Sequence, residues 1–500
     1  MIRPYDIIPF FVIIPLGGAF IISLIGKKVK WFPDVAGTFA TLALMIISVL
    51  SVWIVNKYGM QVYNVGGWKI PLGIGMVLDG FTCFMLVTVN LVAFLITLFS
   101  VNYMNRYTSK WLFYALFLLM LTGMNGVIVT GDMFNLFVFL EIASVSSFAL
   151  VAFGTEKYEL EAAFKYAIMS SVGSAFILLG IIFLYSYTST LNMADMAGVL
   201  MQKGQGNIIL LVSVLFLMGF GLKAALVPFH AWLPDAHPSA PAPISAMLSG
   251  ILIKTLGIYT LCRLFFNVLG ATQPILSILM FMGILSMLAG VFLAIGQWDF
   301  KRLLAYHSIS QIGYVVLGIG IGTPLGILGG LFHLFNHSIF KSLLFLNSGA
   351  IEYAIETRDL KLMGGLSEKM PITSKTSLIA SLSIAGIPPF NGFWSKLIII
   401  AACVQAEHYI YAALAIVGSI LTLASFMKVQ KYAFYEKVQE LTAKAKEAPV
   451  FMCVSMILFA ILCAFTGLLL APTVKGLFLD LSVKALTVGT GYARLVFGAL

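Results

Sequence analysis

Apolar runs long enough to cross a membrane follow one another along this 500-residue chain, with short polar segments between them. A helix of about 20 mainly apolar residues spans the hydrocarbon core of a bilayer, so each run predicts one transmembrane helix. Only 10% of the residues are charged and 60% are hydrophobic, which excludes a soluble multidomain protein. The sequence therefore predicts an all-α polytopic membrane protein.

Hydropathy over windows of about 19 residues predicts about fourteen transmembrane helices. The first run lacks the basic segment and the small-residue cleavage site of a secretory signal, so we expect a retained helix. The last stretch, 471–500, is apolar but short and carries basic residues, which predicts a surface helix. The predicted spans are 6–26, 34–56, 78–101, 111–130, 133–154, 165–188, 208–228, 243–267, 275–296, 303–321, 325–350, 373–405, 409–430 and 450–471.

Lysine and arginine are unevenly divided between the two sets of alternate loops. If the N-terminus lies outside the cell, the inner loops carry more than twice as many basic residues as the outer loops. The positive-inside rule then predicts a multi-pass protein of the cell inner (plasma) membrane, with both termini on the extracytoplasmic side. The net charge of +10 reflects this topology and gives no reason to expect nucleic-acid binding.

Prolines interrupt two of the predicted spans. Pro228 and Pro389 are each followed by a phenylalanine and, four or five residues later, by a tryptophan. Proline removes a backbone donor and breaks or kinks a helix, and freed carbonyls inside a membrane must face protein or water. Two broken helices in corresponding positions indicate an inverted repeat, here of five helices each.

Five ionisable side chains fall inside predicted spans: Glu141, Lys223, Lys254, Lys341 and Lys396. A charge at the bilayer centre costs about 2.5–3.5 kcal/mol on insertion scales, so such groups line polar pathways. Glu141 and Lys223 lie on different helices, and at about 4–6 Å each would favour the charged form of the other. We predict that this pair is a switch; the alternative is that Glu141 is a permanently paired structural acid.

Further basic residues predict a path for protons beyond that pair. Lys254 lies one helix after Lys223 and can take its proton through water, a role that suits lysine because burial readily lowers its pKa. Histidine titrates nearest neutrality, and His333, His337 and Lys341 share one helix face at i, i+4 and i+8. The candidate relay consists of Lys254, His307, His333, His337, Lys341 and, at its far end, Lys396.

Some of these residues also have a structural interpretation. Lys341 lies near the inner end of its helix, where a lysine can snorkel to the interface. His230 and His237 lie in the proline-rich turn, where His237 either gates proton access or pins the turn. His333 and His337 resemble half of a metal site, but no cysteine or second carboxylate pair accompanies them. The cysteines form no CxxC motif, so we expect no metal, disulfide or iron–sulfur cluster in this chain.

Five segments of the chain carry a resemblance to a known family: 131–141 (GDMFNLFVFLE), 223–237 (KAALVPFHAWLPDAH), 301–308 (KRLLAYHS), 333–341 (HLFNHSIFK) and 385–396 (AGIPPFNGFWSK). In the same order along the chain, they resemble the antiporter-like subunits of respiratory complex I. Within that family, Gly66–Trp68, Gly73–Gly75 and Gly123–Val127 are most similar to the D-type subunit of Mrp sodium/proton antiporters and to its counterpart in ferredoxin-dependent membrane-bound hydrogenases.

The resemblance implies a fourteen-helix fold with two inverted five-helix repeats. It also implies roles for the ionisable residues: Glu141 and Lys223 form the switch, Lys254 with His307 and His337 forms the central relay, and Lys396 is the terminal lysine. The implied regions are 1–110, with the first three helices; 111–267, the first five-helix proton-channel repeat; 275–435, the second repeat; and 450–500, the last transmembrane helix and a C-terminal surface segment.

These residues predict a proton-translocating subunit of a multisubunit membrane complex. In one hypothesis a redox arm of complex I or hydrogenase type drives the protons, and any iron–sulfur clusters or nickel–iron belong to partner subunits. In the other, the complex is an Mrp-type sodium/proton antiporter with no redox activity. A third hypothesis, a self-contained transporter of a small solute, requires a substrate pocket that the sequence does not identify. We expect the partners to be other membrane subunits and the surrounding lipid.

Overall fold

Helices supply almost all of the regular structure, as the apolar runs predict. The computed structural model describes residues 3–204 and 206–499. In the first half of the chain the main helices are α1 (Pro4–Ile25), α2 (Phe32–Tyr58), α3 (Gly80–Arg106), α4 (Lys110–Val129), α5 (Met133–Val151), α6 (Lys157–Thr188), α7 (Met193–Lys203), α8 (Asn207–Lys223), α9 (Leu233–Ser239) and α10 (Ala242–Val268). In the second half they are α11 (Gln273–Ile295), α12 (Phe300–Gly320), α13 (Pro324–Ile355), α14 (Pro371–Ala385), α15 (Asn391–Gln405), α16 (Tyr409–Tyr435), α17 (Val450–Leu470), α18 (Pro472–Leu477), α19 (Leu479–Thr487) and α20 (Tyr492–Gly498).

Within the described residues, eleven of these helices are long and apolar enough to cross a membrane: α1–α6, α10–α12, α16 and α17. Three other predicted spans fall on helices outside this set. The first is the shorter α8, the second is α13, whose apolar residues are interrupted by His333, His337 and Lys341, and the third is divided between α14 and α15. The prediction of an all-α membrane protein is confirmed, whereas the count of fourteen and the inverted repeats stay predictions.

The first proline-rich segment separates α8 from α9, and the protein itself satisfies backbone groups that the break frees. The Nε1–H of Trp232 donates to the carbonyl oxygen of Leu222 at 3.0 Å. The backbone N–H of Val227 donates to the Ser286 hydroxyl on α11 at 3.0 Å. This is the condition under which irregular backbone is tolerated at membrane depth, so the break is a built feature of the fold.

The second proline-rich segment separates α14 from α15, and here a lysine takes the place of the missing donors. Pro388 and Pro389 have no N–H to offer to the carbonyls four residues earlier, those of Ile384 and Ala385. The Lys396 ammonium donates to these same two carbonyl oxygens, at 2.8 and 3.4 Å. Hydrogen bonds therefore join Lys396 directly to the proline break.

The helix α10 departs from regular α-helical geometry, which the sequence did not predict. Three of its segments are π-helical: Leu248–Leu252, Lys254–Tyr259 and Arg263–Val268. The most apolar stretch of α10 is completely buried inside the protein. A π-helical turn widens a helix locally and is frequent at functional sites, and in α10 one such turn begins at Lys254.

The stretch after α17 forms the three short helices α18–α20 rather than one surface helix, and parts of it are buried. A buried ion pair lies beside it, with Arg263 Nη1 of α10 at 2.7 Å from Asp79 Oδ2 at the start of α3. The Arg263 guanidinium also lies 5.2 Å from the ring centre of Tyr492 on α20. Burial alone would raise the pKa of Asp79, but Arg263 holds it below its usual value, so the pair fixes this end of the bundle.

Candidate functional site

Glu141 and Lys223 meet inside the first half of the bundle, as the sequence predicted. Lys223 Nζ, at the end of α8, lies 3.7 Å from Glu141 Oε1 on α5. Hydroxyl groups complete the site: Lys223 donates to Ser144 at 3.0 Å and to Ser170 at 2.5 Å, and Ser174 donates to Glu141 Oε1 at 2.5 Å. The lysine therefore has closer contacts to neutral oxygens than to its counter-ion.

The two members of this pair differ in exposure. The Lys223 side chain is 2% exposed, whereas that of Glu141 is 34% exposed on the surface of the chain. The lysine depends on protein groups to stabilise its charge, while the carboxylate also reaches the outer face of the bundle. The 3.7 Å contact can open without breaking the hydrogen bonds from Lys223 to Ser144 and Ser170, whereas movement of Glu141 would break the bond that it accepts from Ser174.

Lys254 lies at a π-helical turn of α10 and is completely buried. Its ammonium donates to two carbonyl oxygens of its own helix, those of Ser249 at 2.6 Å and Gly250 at 2.5 Å. The loosened helix therefore supplies the acceptors, and no carboxylate within the described chain forms an ion pair with Lys254. Two carbonyl oxygens thus take the place of a counter-ion for this ammonium.

Lys341 and His237 lie on either side of the Phe345 ring. Lys341 Nζ is 5.5 Å from the ring centre of Phe345, and the His237 ring packs edge-on against it at 5.3 Å. Both side chains are fully buried. Snorkelling, the structural interpretation of Lys341, is therefore wrong in this chain, because a snorkelling lysine places its ammonium in the interface.

His337 and His333 continue along the same helix face towards the second break. Their rings are nearly parallel, with centres 6.4 Å apart. One ring nitrogen of His333 lies 2.9 Å from the Ser395 hydroxyl, and the other lies 3.2 Å from the Gln311 side-chain oxygen. Because Ser395 directly precedes Lys396, the histidine pair connects α13 to the helix that carries the terminal lysine.

Lys396 lies at the base of a cavity between α15 and α16. Besides the two carbonyl oxygens at the break, it donates to the Ser419 hydroxyl at 3.3 Å and lies 4.7 Å from the ring centre of Tyr314. The cavity has a volume of about 250 Å³, and its lining includes Gly386 and Ile420. The terminal lysine is therefore buried but next to an opening in the helix bundle.

A run of polar atoms without protein partners marks the centre of this arrangement. Both ring nitrogens of His237 and His337, and the Lys341 ammonium, form no hydrogen bond to any described residue. Buried polar groups are normally paired with protein or ordered water. The described protein therefore leaves the hydrogen-bonding capacity of these groups on α9 and α13 unsatisfied.

Two predicted residues lie away from this line. His307 on α12 bonds the Ser425 hydroxyl at 2.8 Å and packs against Phe426, and no described relay residue is its hydrogen-bond partner. His230 is half-buried in the turn after α8, and its Nδ1 has no partner in the described chain. Contacts therefore join Glu141 to Lys223, and they join His337 to Lys396 through His333. His307 and His230 are less directly connected to these residues.

Sequence reasoning missed the neutral residues that hold the charged ones. The serines around the Glu141–Lys223 pair had a detectable signal, since Ser170 and Ser174 are spaced i, i+4 in the part of α6 that carries no charged residue. No such signal exists for Gln311, Tyr314 and Phe345, because nothing in the sequence shows which helix faces meet.

A network of ion pairs surrounds α9 at the bundle end next to His237. Asp235 of α9 contacts Lys165 on α6 at 3.2 Å and Arg302 on α12 at 3.7 Å. Arg358 contacts Asp299 at 3.3 Å and also donates to the carbonyl oxygen of Pro238. These contacts tie the second half of the broken helix to its neighbours, and so they fix the position of His237 below the surface.

The described residues contain no group of three or more histidine, cysteine, aspartate and glutamate side chains that could hold a metal ion.

Comparisons with known proteins identify the family of this chain. Residues 130–422 match the family described as NADH:quinone oxidoreductase/Mrp antiporter, and residues 63–114 match the N-terminal region of complex I chain 5. The D-type subunit of the Na(+)/H(+) antiporter from Alkalihalophilus pseudofirmus is 37% identical over 86% of both chains. The N-type subunit of the NADH-quinone oxidoreductase from Desulforudis audaxviator is 36% identical over 78% of both chains.

Two solved structures extend the likeness to the whole chain. A chain of the Mrp complex from Dietzia sp. superposes with a TM-score of 0.91 at 26% identity, covering 100% of both chains. A chain of the membrane-bound sulfane sulfur reductase, an archaeal respiratory membrane complex, gives a TM-score of 0.88 at 30% identity, covering 98% of this chain and 99% of the other. The resemblance predicted from the sequence is confirmed: this chain belongs to the family of antiporter-like membrane subunits found in complex I and Mrp antiporters.

Proposed function

We propose that this chain translocates protons as one subunit of a multisubunit membrane complex. The observation that supports this most is the row of buried ionisable groups that runs from Glu141 and Lys223 through the centre to Lys396. Each such group is costly inside a membrane protein, and the central ones lack carboxylate partners. A static scaffold would gain nothing from burying four lysines in this way.

In the proposed path, opening and closing of the Glu141–Lys223 contact drives proton transfer. When Glu141 moves away, Lys223 loses its counter-ion and releases its proton, which passes through water to Lys254. His337 and His333, with Lys341 and His237 beside them, carry the proton to Lys396 at the second break. His307 belongs to the proposed central relay, with Ser425 as its partner, and His230 and His237 are the proposed gate residues.

The proposed architecture has four regions: 1–110, 111–267, 275–435 and 450–500. The second and third are the inverted five-helix repeats, each with one broken helix. The proposed location is the plasma membrane, with both termini on the extracytoplasmic side, which is supported by the distribution of lysine and arginine in the loops.

Two kinds of complex agree with this function, and relatives of both kinds match the chain. One relative is named a subunit of a sodium/proton antiporter, and one structural match belongs to a respiratory reductase. Both would use the same interior groups, with other membrane subunits as partners. In the respiratory case, redox cofactors would be held by those partners.

The experiment that distinguishes them uses the intact complex, purified by a tag on this chain. Stoichiometric iron, with or without nickel, selects the redox-driven complex. Absence of these metals together with sodium-dependent proton uptake in proteoliposomes selects the antiporter. A complex in which Lys223→Ala and Lys396→Ala both leave proton movement unchanged would contradict the proposed function in either setting.

A further inference from the structure

A large cavity that plays no part in the proton path opens where the α1–α2 turn meets the α3–α4 loop. Its volume is about 780 Å³. It lies at the end of the bundle that the positive-inside rule assigns to the cytoplasm. Four cationic side chains and two tryptophans contribute to its wall: Lys27, Lys30, Arg106, Lys110, Trp31 and Trp111.

The one carboxylate in this wall, Asp34, is already neutralised by the protein. Lys110 Nζ lies 2.7 Å from Asp34 Oδ2, and the Tyr114 hydroxyl donates to Asp34 Oδ1 at 2.8 Å. The remaining donors of Lys110 are used by the carbonyl oxygen of Val101 at 2.7 Å and by Asn105 Oδ1 at 2.9 Å. Asp34 and Lys110 therefore form a closed structural unit and leave the other cations uncompensated.

Those other cations are available to a ligand. Lys27 and Lys30 are exposed and form no ion pair within the part of the chain that the structure describes. Arg106 forms one ion pair among the described residues, a long contact of 3.9 Å with Glu356, whose side chain is 85% exposed. It also donates to the carbonyl oxygen of Glu352 at 3.4 Å and lies 4.8 Å from the ring centre of Tyr353. Basic pockets between membrane helices at the cytoplasmic surface attract acidic headgroups, at about 1 kcal/mol for each lysine or arginine.

The backbone around the cavity adds to this preference for an anion. The N-termini of α2 and α4 both lie in its wall, and neither has a side-chain cap. In contrast, aspartate side chains cap α3, α5 and α12. Free N–H groups at the positive end of a helix dipole stabilise negative charge. At α2 the N–H of Phe32 already donates to the carbonyl oxygen of Val29 and Pro33 has no N–H, so it is the N-terminus of α4 that complements the lysines.

The surface beside the cavity is apolar, which distinguishes a lipid from a soluble anion. Leu24 near the end of α1 and Phe39 near the start of α2 are 77% and 70% exposed. Trp31, at the rim, is 64% exposed, and tryptophan is the residue that membrane proteins place at headgroup level. An anion bound by Lys27 and Lys30 would thus have its acyl chains directly over an apolar helix face.

We propose that this cavity binds the phosphate-containing headgroup of an anionic phospholipid. The two free lysines and Arg106 hold the phosphate, the tryptophans sit at the glycerol level, and the exposed faces of α1 and α2 carry the acyl chains. This site is independent of the proposed proton path, because no residue of that path lines it.

The test measures lipid binding by the full chain in nanodiscs of phosphatidylcholine to which phosphatidylglycerol is added. Native mass spectrometry counts the phosphatidylglycerol retained per chain, and its titration gives the affinity. For Lys27→Gln with Lys30→Gln, we expect about thirtyfold weaker binding, from about 1 kcal/mol for each lysine. The matched control, Lys444→Gln with Lys446→Gln, removes two exposed lysines from the same predicted side of the membrane and should bind as the wild type does.

Three results would overturn the proposal. The first is equal retention of phosphatidylglycerol by the double variant and by the control. The second is displacement of phosphatidylglycerol by inorganic phosphate, which would make the site one for a soluble anion. The third is exclusion of phosphatidylglycerol from the cavity in the purified complex, which would mean that another membrane protein of the complex covers it. Because the substituted lysines are exposed and unpaired, equal thermal unfolding of both variants is expected and excludes misfolding.

Discussion

The two broken helices each hold a buried lysine, but they stabilise it in different ways. At the first break, Lys223 faces the carboxylate of Glu141 and the hydroxyls of Ser144 and Ser170. At the second break, Lys396 faces carbonyl oxygens of the break itself, one serine hydroxyl and the Tyr314 ring. Among the described residues, one lysine has a charged partner, and the other has only neutral ones.

This difference suggests a division of labour. The protonation of Lys223 can be changed by moving Glu141, so the first break is suited to receive a conformational signal. The protonation of Lys396 depends on the unwound backbone and on access through its cavity, so the second break is suited to release or collect protons at one side. Substitutions at the two breaks can test this contrast, from the largest expected effect to the smallest.

Removal of either member of the first pair should have the largest effect. We expect Glu141→Ala and Lys223→Ala each to lower proton translocation by about 100-fold or more, since both remove an essential acid or base. The measurement is proton uptake in proteoliposomes containing the purified complex. Full transport by Glu141→Ala would contradict the switch.

The double substitution Glu141→Ala with Lys223→Ala separates transport from assembly. Glu141→Ala leaves the buried charge of Lys223 uncompensated, which costs about 3–5 kcal/mol, whereas removing both partners does not. Lys223→Ala costs less, because the Glu141 side chain is 34% exposed. The double variant should therefore assemble at least as well as either single variant, as measured by the yield of intact complex, while remaining inactive. Poorer assembly of the double variant would show that the pair is a structural element.

The second break should respond differently to a fixed charge. Lys396→Arg keeps a cation next to the carbonyls but removes a proton that can leave, because arginine does not deprotonate in proteins. We expect proton transfer to fall by about tenfold to 100-fold with normal assembly. Normal pumping by this variant would mean that Lys396 supplies only a static charge and that the terminal step uses another group such as His337.

Closing the second break should have a smaller effect. Alanine at positions 388 and 389 provides backbone N–H groups that can bond the carbonyls of Ile384 and Ala385, in competition with the Lys396 ammonium. A net hydrogen bond is worth about 0.5–1.5 kcal/mol, so we expect a loss of up to about tenfold in the transfer rate. The same substitution at Pro371, the first residue of α14, is the matched control and should leave the rate unchanged.

The smallest effect is expected from the serine shell of the first break. Ser144→Ala removes one of the hydrogen bonds to Lys223, and we expect a change in rate of about twofold to fivefold, or about 1 kcal/mol at most. Ser146→Ala on the same helix is the control, because its hydroxyl bonds only the carbonyl of Ile142 among the described residues. Equal rates of proton translocation in the two variants would mean that Glu141 alone determines the protonation of Lys223.

The sequence predicted the ionisable residues of the site better than their surroundings. Glu141 and Lys223 were recognised because a charge inside an apolar run stands out, and the structure places them in contact. The role of Phe345 between Lys341 and His237 was not predictable, since an aromatic residue in an apolar helix is unremarkable in sequence. The histidine contacts to Gln311 and Ser395 depend on how α12, α13 and α15 are rotated against one another.

By itself, the sequence determined the class of fold, the positions of both helix breaks and the residues that bear charge at membrane depth. It did so because a bilayer requires long apolar helices and because proline cannot donate a backbone hydrogen bond. Only the tertiary structure decided which neutral oxygens hold each lysine, that α10 is π-helical at Lys254, and that Lys341 is fully enclosed. Those features arise where side chains of different helices pack against one another. The spacing of residues along a single helix does not reveal such contacts.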